Sequence, residues 1–189
     1  MNRRAMNRRE DLVEAATDYV LEAGLIGLSL RPLAAALGTS DRMLNYHFGS
    51  KDELIAAVLR ESSDRSAAQI NELKPATSVR QAVLELWVAI SGPEQQRCQR
   101  MYVEAAALGL FGSEPYASVV REANAVWIES IRTYLVASGA PIRRVKRLAT
   151  VMEAALMGFQ LDLPLDEADG NMTRAVKDLA EAIEFLATR

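Results

Sequence analysis

One cysteine and one histidine in 189 residues remove several kinds of chemistry at once. A lone Cys98 allows no intrachain disulfide and no multi-cysteine metal site; it reads either as a small buried apolar side chain or as a redox-responsive thiol. With His47 the sole imidazole, no multi-histidine zinc site exists and no Ser-His-Asp triad forms away from residue 47. There is no Gly-rich phosphate loop, and the 25 Asp and Glu offer only chance pairs for acid–base work. No uninterrupted run approaches the roughly 20 apolar residues of a membrane span. The Arg-bearing N-terminus lacks the apolar core of a signal peptide. The expectation is a cytoplasmic protein that is no enzyme and uses no cofactor, metal or membrane.

The chain does contain helix punctuation. Ser29 offers a cap to a helix carrying Leu30, Leu33, Ala34 and Leu37 on one face. Gly38 supplies the positive φ of a tight turn, and Thr39, Ser40 and Asp41 offer side-chain oxygens to the next helix. There Leu44 and Phe48, four apart, share the face that packs on Leu33, Ala34 and Leu37. The opposite face is left to Arg42, Asn45 and Tyr46. Arginine pairs with guanine O6 and N7 and asparagine with adenine N6 and N7, so these side chains suit a DNA groove better than a core. Tyr46, His47 and Lys51 are placed to reach phosphates. Ser50 and Glu53 then form a capping box whose helix N-terminus favours an anion beside it. This is helix-turn-helix punctuation.

The run LAAALGTS followed by MLNYHFGSKDEL, within Leu30–Leu54, resembles the DNA-binding region of TetR/AcrR-type transcriptional regulators. The likeness covers about the first 60 residues; beyond them it is one of length and all-helical pattern. The resemblance implies an all-α fold, with a three-helix helix-turn-helix domain and basic N-terminal arm at 1–50 and a helical effector-binding and dimerisation domain at 51–189. It also implies double-stranded operator DNA as partner. Arg31, Thr39, Ser40, Asp41, Arg42, Met43, Asn45, Tyr46, His47 and Lys51 are the expected DNA-facing set. Asn45 stands where most members carry Tyr, and Arg42 where a small residue is usual, so the half-site read is this chain's own.

Charge does not advertise a nucleic-acid partner. Residues 1–60 hold eight Lys/Arg and eight Asp/Glu, against fourteen and seventeen in 61–189. Affinity then depends on where individual cations fall, Arg3, Arg4, Arg8, Arg9, Arg31, Arg42 and Lys51 among them. The opening MNRRAMNRR reads as a flexible basic arm able to lie along DNA, or as excess before a start at Met6. From Arg8, Leu12, Ala16, Tyr19 and Ala23 make one helical stripe that stops at Gly24.

A helix from Lys51 carries Ile55, Leu59, Ser62, Ser66, Ile70 and Leu73 on one side before Pro75; about 22 residues at 1.5 Å rise span about 33 Å. Three helices follow: one opened by Ser78 and Gln81, one from about Glu94, one from Glu114 to about Ser138. They contain Trp87, Met101, Tyr102, Trp127 and Tyr134, which read as core packing or as the wall of an apolar ligand pocket. Glu104 in these helices and Glu153 beyond them have apolar neighbours three or four residues away. They are either exposed or inward-facing and able to orient a ligand. The resemblance implies a small-molecule effector held by this group.

The last two helices carry Val145, Leu148, Met152, Ala155 and Phe159, then Met172, Val176, Leu179, Ile183 and Leu186. These heptad-like seams pack within the domain or between two copies as a four-helix bundle; the resemblance implies the second, a homodimer reading a palindrome. The basic run Arg143, Arg144, Lys146 and Arg147 opposes its helix dipole. It reads as a solvated face paired with acidic neighbours, or as an anionic ligand or partner surface. The linker LDLPLDEADGN reads as acidic surface rather than a metal site of Asp162, Asp166 and Asp169. The function expected is a ligand-responsive repressor released by its effector. The alternatives are an effector-free DNA-binding protein and a helical protein-interaction adaptor.

Overall fold

The structure is a computed structural model describing residues 3–165 and 170–189, with side chains from Arg8 onward. Met1, Asn2, Asp166 and Asp169 lie outside the described residues, as do the side chains of Arg3 and Arg4. Every regular element described is helical. The elements are α1 (Arg3–Ala23), α2 (Leu30–Ala36), α3 (Asp41–Phe48), α4 (Lys51–Asn71), α5 (Val79–Ile90), α6 (Pro93–Leu110), α7 (Tyr116–Ala137), α8 (Ile142–Asp162), a 3-10 turn at Leu163–Leu165, and α9 (Asn171–Thr188).

Side-chain capping explains the starts of α3, α4 and α5. Ser40 Oγ accepts from Met43 N at 3.3 Å, Ser50 Oγ from Glu53 N at 3.1 Å and Ser78 Oγ from Gln81 N at 3.1 Å, each satisfying an otherwise free first-turn amide. Ser29 occupies the N-cap of α2 in extended conformation, but its hydroxyl makes no capping bond, contrary to the sequence expectation. The backbone is helical from Arg3, so the region expected to be a flexible arm is continuous with α1.

Two compact units form. The first comprises residues 1–65 and 97–124, the second 66–96 and 125–189. In the first, α1 contributes Leu12, Val13, Ala16, Val20 and Leu21 to a core with Leu33 and Ala34 of α2, Leu44 and Phe48 of α3, and Leu54, Ile55, Val58 and Leu59 of α4. Cys98, Met101 and Ala105 of α6 and Val119 of α7 complete that core. Cys98 is buried there as a free thiol, the apolar role. Sequence order alone gives no hint that α6 and the start of α7 pack beside the helix-turn-helix.

The core of the second unit is built from Val79, Ala82, Val83, Leu86 and Ile90 of α5, Ile131, Tyr134 and Leu135 of α7, Val145, Leu148, Ala149, Met152 and Leu156 of α8, and Ala180, Ile183 and Ala187 of α9. Among the described residues one stretch, Ile142–Leu165, is long and apolar enough to cross a bilayer by length and composition, its most apolar 18 residues having a mean hydropathy of 1.2. The stretch is interrupted by Arg143, Arg144, Lys146, Arg147, Glu153 and Asp162, so it contains no continuous apolar run of that length. Its apolar content has a local use, since α8 both fills this core and carries a second, outward apolar stripe.

Candidate nucleic-acid interface

Helix α3 divides its residues cleanly. Leu44 and Phe48 are 1% and 7% exposed, while Asp41, Arg42, Met43, Asn45 and Tyr46 lie on the surface and His47 is half-buried. A residue pair four apart takes one side of an α-helix, so burying Leu44 and Phe48 forces Arg42, Asn45 and Tyr46 outward. Tyr46 is 75% exposed, an arrangement that a purely structural tyrosine would not need. Its ring meets His47 edge to face at 5.2 Å, which orients both.

The turn before α3 creates a concavity of about 500 Å³ lined by Arg31, Ala34, Ala35, Thr39, Ser40, Asp41 and Arg42. Five of the ten residues expected to face DNA therefore share one hollow. Gly38 at φ +63° makes the sharp reversal between α2 and α3; an L side chain in that left-handed region would be strained. The remaining expected residues sit around it: Met43, Asn45, Tyr46 and His47 further along α3, and Lys51 at the start of α4. Lys51 Nζ donates to the Leu28 carbonyl, tying α4 to the loop before α2 with two of its three N–H groups still free.

Two further contacts fix this head. The Arg9 guanidinium lies over the Phe48 ring, 4.9 Å from its centroid, bracing α1 against α3. Glu104 Oε2 accepts from the amides of Leu25 and Ile26 at 2.6 and 2.8 Å, and Arg100 Nη2 donates to the carbonyls of Leu21 and Glu22 at 2.6 and 3.2 Å. Helix α6 thus supplies a cation to carbonyls in the last turn of α1, the polarity that a helix C-terminus favours, and a carboxylate to amides of the loop just beyond it. Sequence reasoning placed Glu104 toward an effector; its carboxylate is engaged with backbone instead. Nothing in the spacing of α6 signals this, because its partners lie nearly 80 residues away in the chain.

The residues expected at an effector site divide between the two units. Met101, Tyr102 and Glu104 belong to the first unit; Trp87, Trp127, Tyr134 and Glu153 to the second. Met101 is wholly buried in the first core. In the second unit, Trp87 meets Phe159 edge to face at 6.0 Å. The Tyr134 hydroxyl donates to Glu85 Oε2 at 3.0 Å, and burial together with that carboxylate pushes its ionisation up to about 12. Glu153 is half-buried on α8, and burial raises its pKa above the ordinary carboxylate value.

Of the residues expected at a seam between copies, Val145, Leu148, Met152, Val176 and Ile183 are 0–2% exposed within the one chain. They pack inward and cannot face a partner. Ala155, Phe159, Met172, Leu179 and Leu186 are half-buried. The outward side of α8 and of the 3-10 turn after it carries Val151, Ala154, Gly158, Leu161 and Leu165, again spaced three, four, three and four. The basic run at the start of α8 is also corrected: among the described residues, none of Arg143, Arg144, Lys146 and Arg147 makes an ion pair.

Comparison with known proteins supplies an independent line. Residues 12–58 match the family model described as bacterial regulatory proteins, tetR family. The repressor AcnR of Corynebacterium efficiens is 34% identical over 67 residues, 35% of this chain and 36% of that protein. The regulator PksA of Bacillus subtilis is 31% identical over 84 residues, 42% and 41% of the two chains. The match therefore spans only about two fifths or less of the curated relatives' length. Over nearly the whole chain the fold resembles a transcriptional regulator from Rhodococcus sp. Rha1, with a TM-score of 0.74 at 22% identity, covering 93% of this chain and 95% of that one. The multidrug binding protein EbrR complexed with imidazole gives a TM-score of 0.70 at 24% identity over 97% and 94%. At those identities the structural likeness concerns the fold.

Proposed function

We propose, from the match of residues 12–58 to the tetR family of bacterial regulatory proteins, that this chain is a member of that family and a cytoplasmic, homodimeric, ligand-responsive repressor of transcription. One observation carries the reading: α3 buries Leu44 and Phe48 and turns Arg42, Asn45 and Tyr46 to solvent beside a hollow lined by Arg31, Thr39, Ser40 and Asp41. Helix α3 enters the major groove, Arg42 and Asn45 read base edges, and Tyr46, His47 and Lys51 hold phosphates on either side. The capped start of α4 presents its amides to the same backbone.

A single eight-residue reading helix gives little specificity, so two copies acting on a palindrome are the natural unit. The outward stripe of α8 and its following turn, with Val151, Leu161 and Leu165 at 41%, 47% and 79% exposure, and Phe185 of α9 at 52%, supports association of two copies there. A patch of that kind favours burial against its own twofold mate.

The effector reading draws on the half-buried Trp87 and Trp127 and on Glu153 in the second unit, and on EbrR, a protein of the same fold that binds imidazole. Helix α4 contributes residues to both units, so a change in it is felt by both. The effector must bind the DNA-competent and DNA-incompetent geometries with different affinity, since equal binding shifts nothing.

The test is binding of the purified protein to its own upstream intergenic DNA, against random-sequence competitor and across a salt series. The expected result is competitor-resistant binding with two protomers per site and a log–log salt slope near −0.9 per phosphate contacted. No preference over random DNA from several neighbouring intergenic regions at low salt would remove the regulator reading.

A further inference from the structure

The arginines that α8 and α9 bring together make a cavity of a different character from the DNA-facing hollow. It measures about 380 Å³ and is lined by Arg144, Arg147, Leu148, Leu186 and Arg189. Its lining includes three arginines and no acidic side chain. Like charges brought together repel; the partial positive charge of the N-terminal turn of α8 is offset by the partial negative charge of the last carbonyls of α9, so the three side-chain charges set the sign of the hollow. In most folded surfaces such charges are offset by Asp or Glu, yet among the described residues none of these arginines forms an ion pair.

The contacts that do hold them are uncharged. Arg144 Nη1 donates to the Leu186 carbonyl at 3.0 Å, satisfying one of the free carbonyls at the end of α9. The Arg189 guanidinium lies over the face of Phe185, 4.4 Å from the ring centroid. Stacking uses the flat face of a guanidinium and leaves its N–H edge free, and a single carbonyl uses one of five donors. Both groups are therefore positioned without being neutralised. Leu148 and Leu186 give the hollow an apolar wall that lowers the local dielectric and strengthens any charge-assisted bond made there.

We propose that this cavity is a binding site for a small polyvalent oxyanion, one carrying two or more phosphate or carboxylate groups. Guanidinium forks match both groups bidentately, and a single negative charge would leave most of the positive charge uncompensated. The site lies wholly in the second unit and does not involve the residues assigned to DNA. Occupation would bridge the first turns of α8 to the last turn of α9, the helices that carry the proposed association stripe.

Calorimetric titration of the full-length protein with inorganic pyrophosphate, and separately with tricarballylate, at constant ionic strength tests this. Saturable binding of one ion per protomer is expected, with the stronger probe identifying the phosphate or carboxylate class. Arg144→Gln, Arg147→Gln and Arg189→Gln together should abolish it, whereas Arg42→Gln in the DNA-facing hollow should leave it intact. If the triple variant fails to fold, Arg147→Gln alone, which removes no internal hydrogen bond, should weaken binding about tenfold. Absence of binding by both probes, or equal binding by the substituted protein, would overturn the proposal. So would loss of binding that tracks dissociation of the two copies, because the arginines would then serve a contact between protomers.

Discussion

Replacing Glu104 with alanine removes the acceptor that α6 offers to the loop between α1 and α2. Its Oε2 receives two amides, Leu25 N at 2.6 Å and Ile26 N at 2.8 Å, on a side chain only 18% exposed. A hydrogen bond to a charged group contributes about 1.5–3 kcal/mol, and leaving a buried amide without a partner costs about 1–3 kcal/mol. Leu25 is 2% exposed whereas Ile26 is 67% exposed, so water replaces the carboxylate at Ile26 but not readily at Leu25. The expected loss for Glu104→Ala is therefore that of one good bond, about 2–3 kcal/mol. Glu104→Gln keeps an oxygen acceptor and loses only the charge, about 1 kcal/mol. Arg100, 4.0 Å from the carboxylate and half exposed, adds little through its ion pair. Both tryptophans lie in the second unit, so their fluorescence is the wrong probe. Urea unfolding followed by circular dichroism, with hydrogen exchange at the Leu25 and Ile26 amides, reads the perturbed unit directly. An alanine variant within about 0.5 kcal/mol of the parent, with unchanged exchange at both amides, would refute the reasoning. The loosened loop should also weaken operator binding, because it sets the entry of α2.

Arg42→Ala and Asn45→Ala should each cost about 1–3 kcal/mol of discrimination between operator and mutated operator, measured by competition binding, without lowering thermal stability. Leu44→Ala, which opens a cavity beneath α3, should destabilise by about 2–5 kcal/mol in the same denaturation assay. A Cβ added at Gly109 would meet the Cα and N of Ala117 at 3.1 Å; since backbone must shift, Gly109→Ala should cost about 1–3 kcal/mol and lower Tm. The folded Tyr134 phenol ionises near 12 against about 10 when unfolded. Its contribution is thus complete below pH 10 and lost as pH rises from 10 to 12, and Tyr134→Phe should flatten that part of a Tm-versus-pH curve. Glu153, whose pKa burial raises, destabilises the fold once ionised, so Glu153→Gln should raise Tm at pH 7 but not below its unfolded pKa.

Local chemistry made the helix-turn-helix legible. Ser40 and Ser50 cap where a hydroxyl ahead of an amphipathic run ought to cap, Gly38 turns where only glycine turns without strain, and Leu44 with Phe48 select the buried side of α3. These signals operate over three or four residues and survive in almost any tertiary setting. Half of the expected seam on α8 and α9 is covered within the chain, for the complementary reason. A three-and-four spacing says that a stripe is buried, not what buries it, and Val145, Leu148, Met152 and Ile183 are covered within their own chain. The outward stripe beginning at Val151 has the same period, but Ala154 and Gly158 weaken its apolar signature.

Length, punctuation and hydrophobic period were enough to establish an all-helical chain, the position of nearly every helix and the side of α3 that meets solvent, because those depend on contacts between near neighbours. Tertiary packing alone decided that α6 and the start of α7 complete the N-terminal core, and that Glu104 caps a loop nearly 80 residues away. It also decided that Arg144, Arg147 and Arg189 share one hollow. Each of these joins residues from distant parts of the chain, and periodicity along a helix carries no information about which distant surface will cover it.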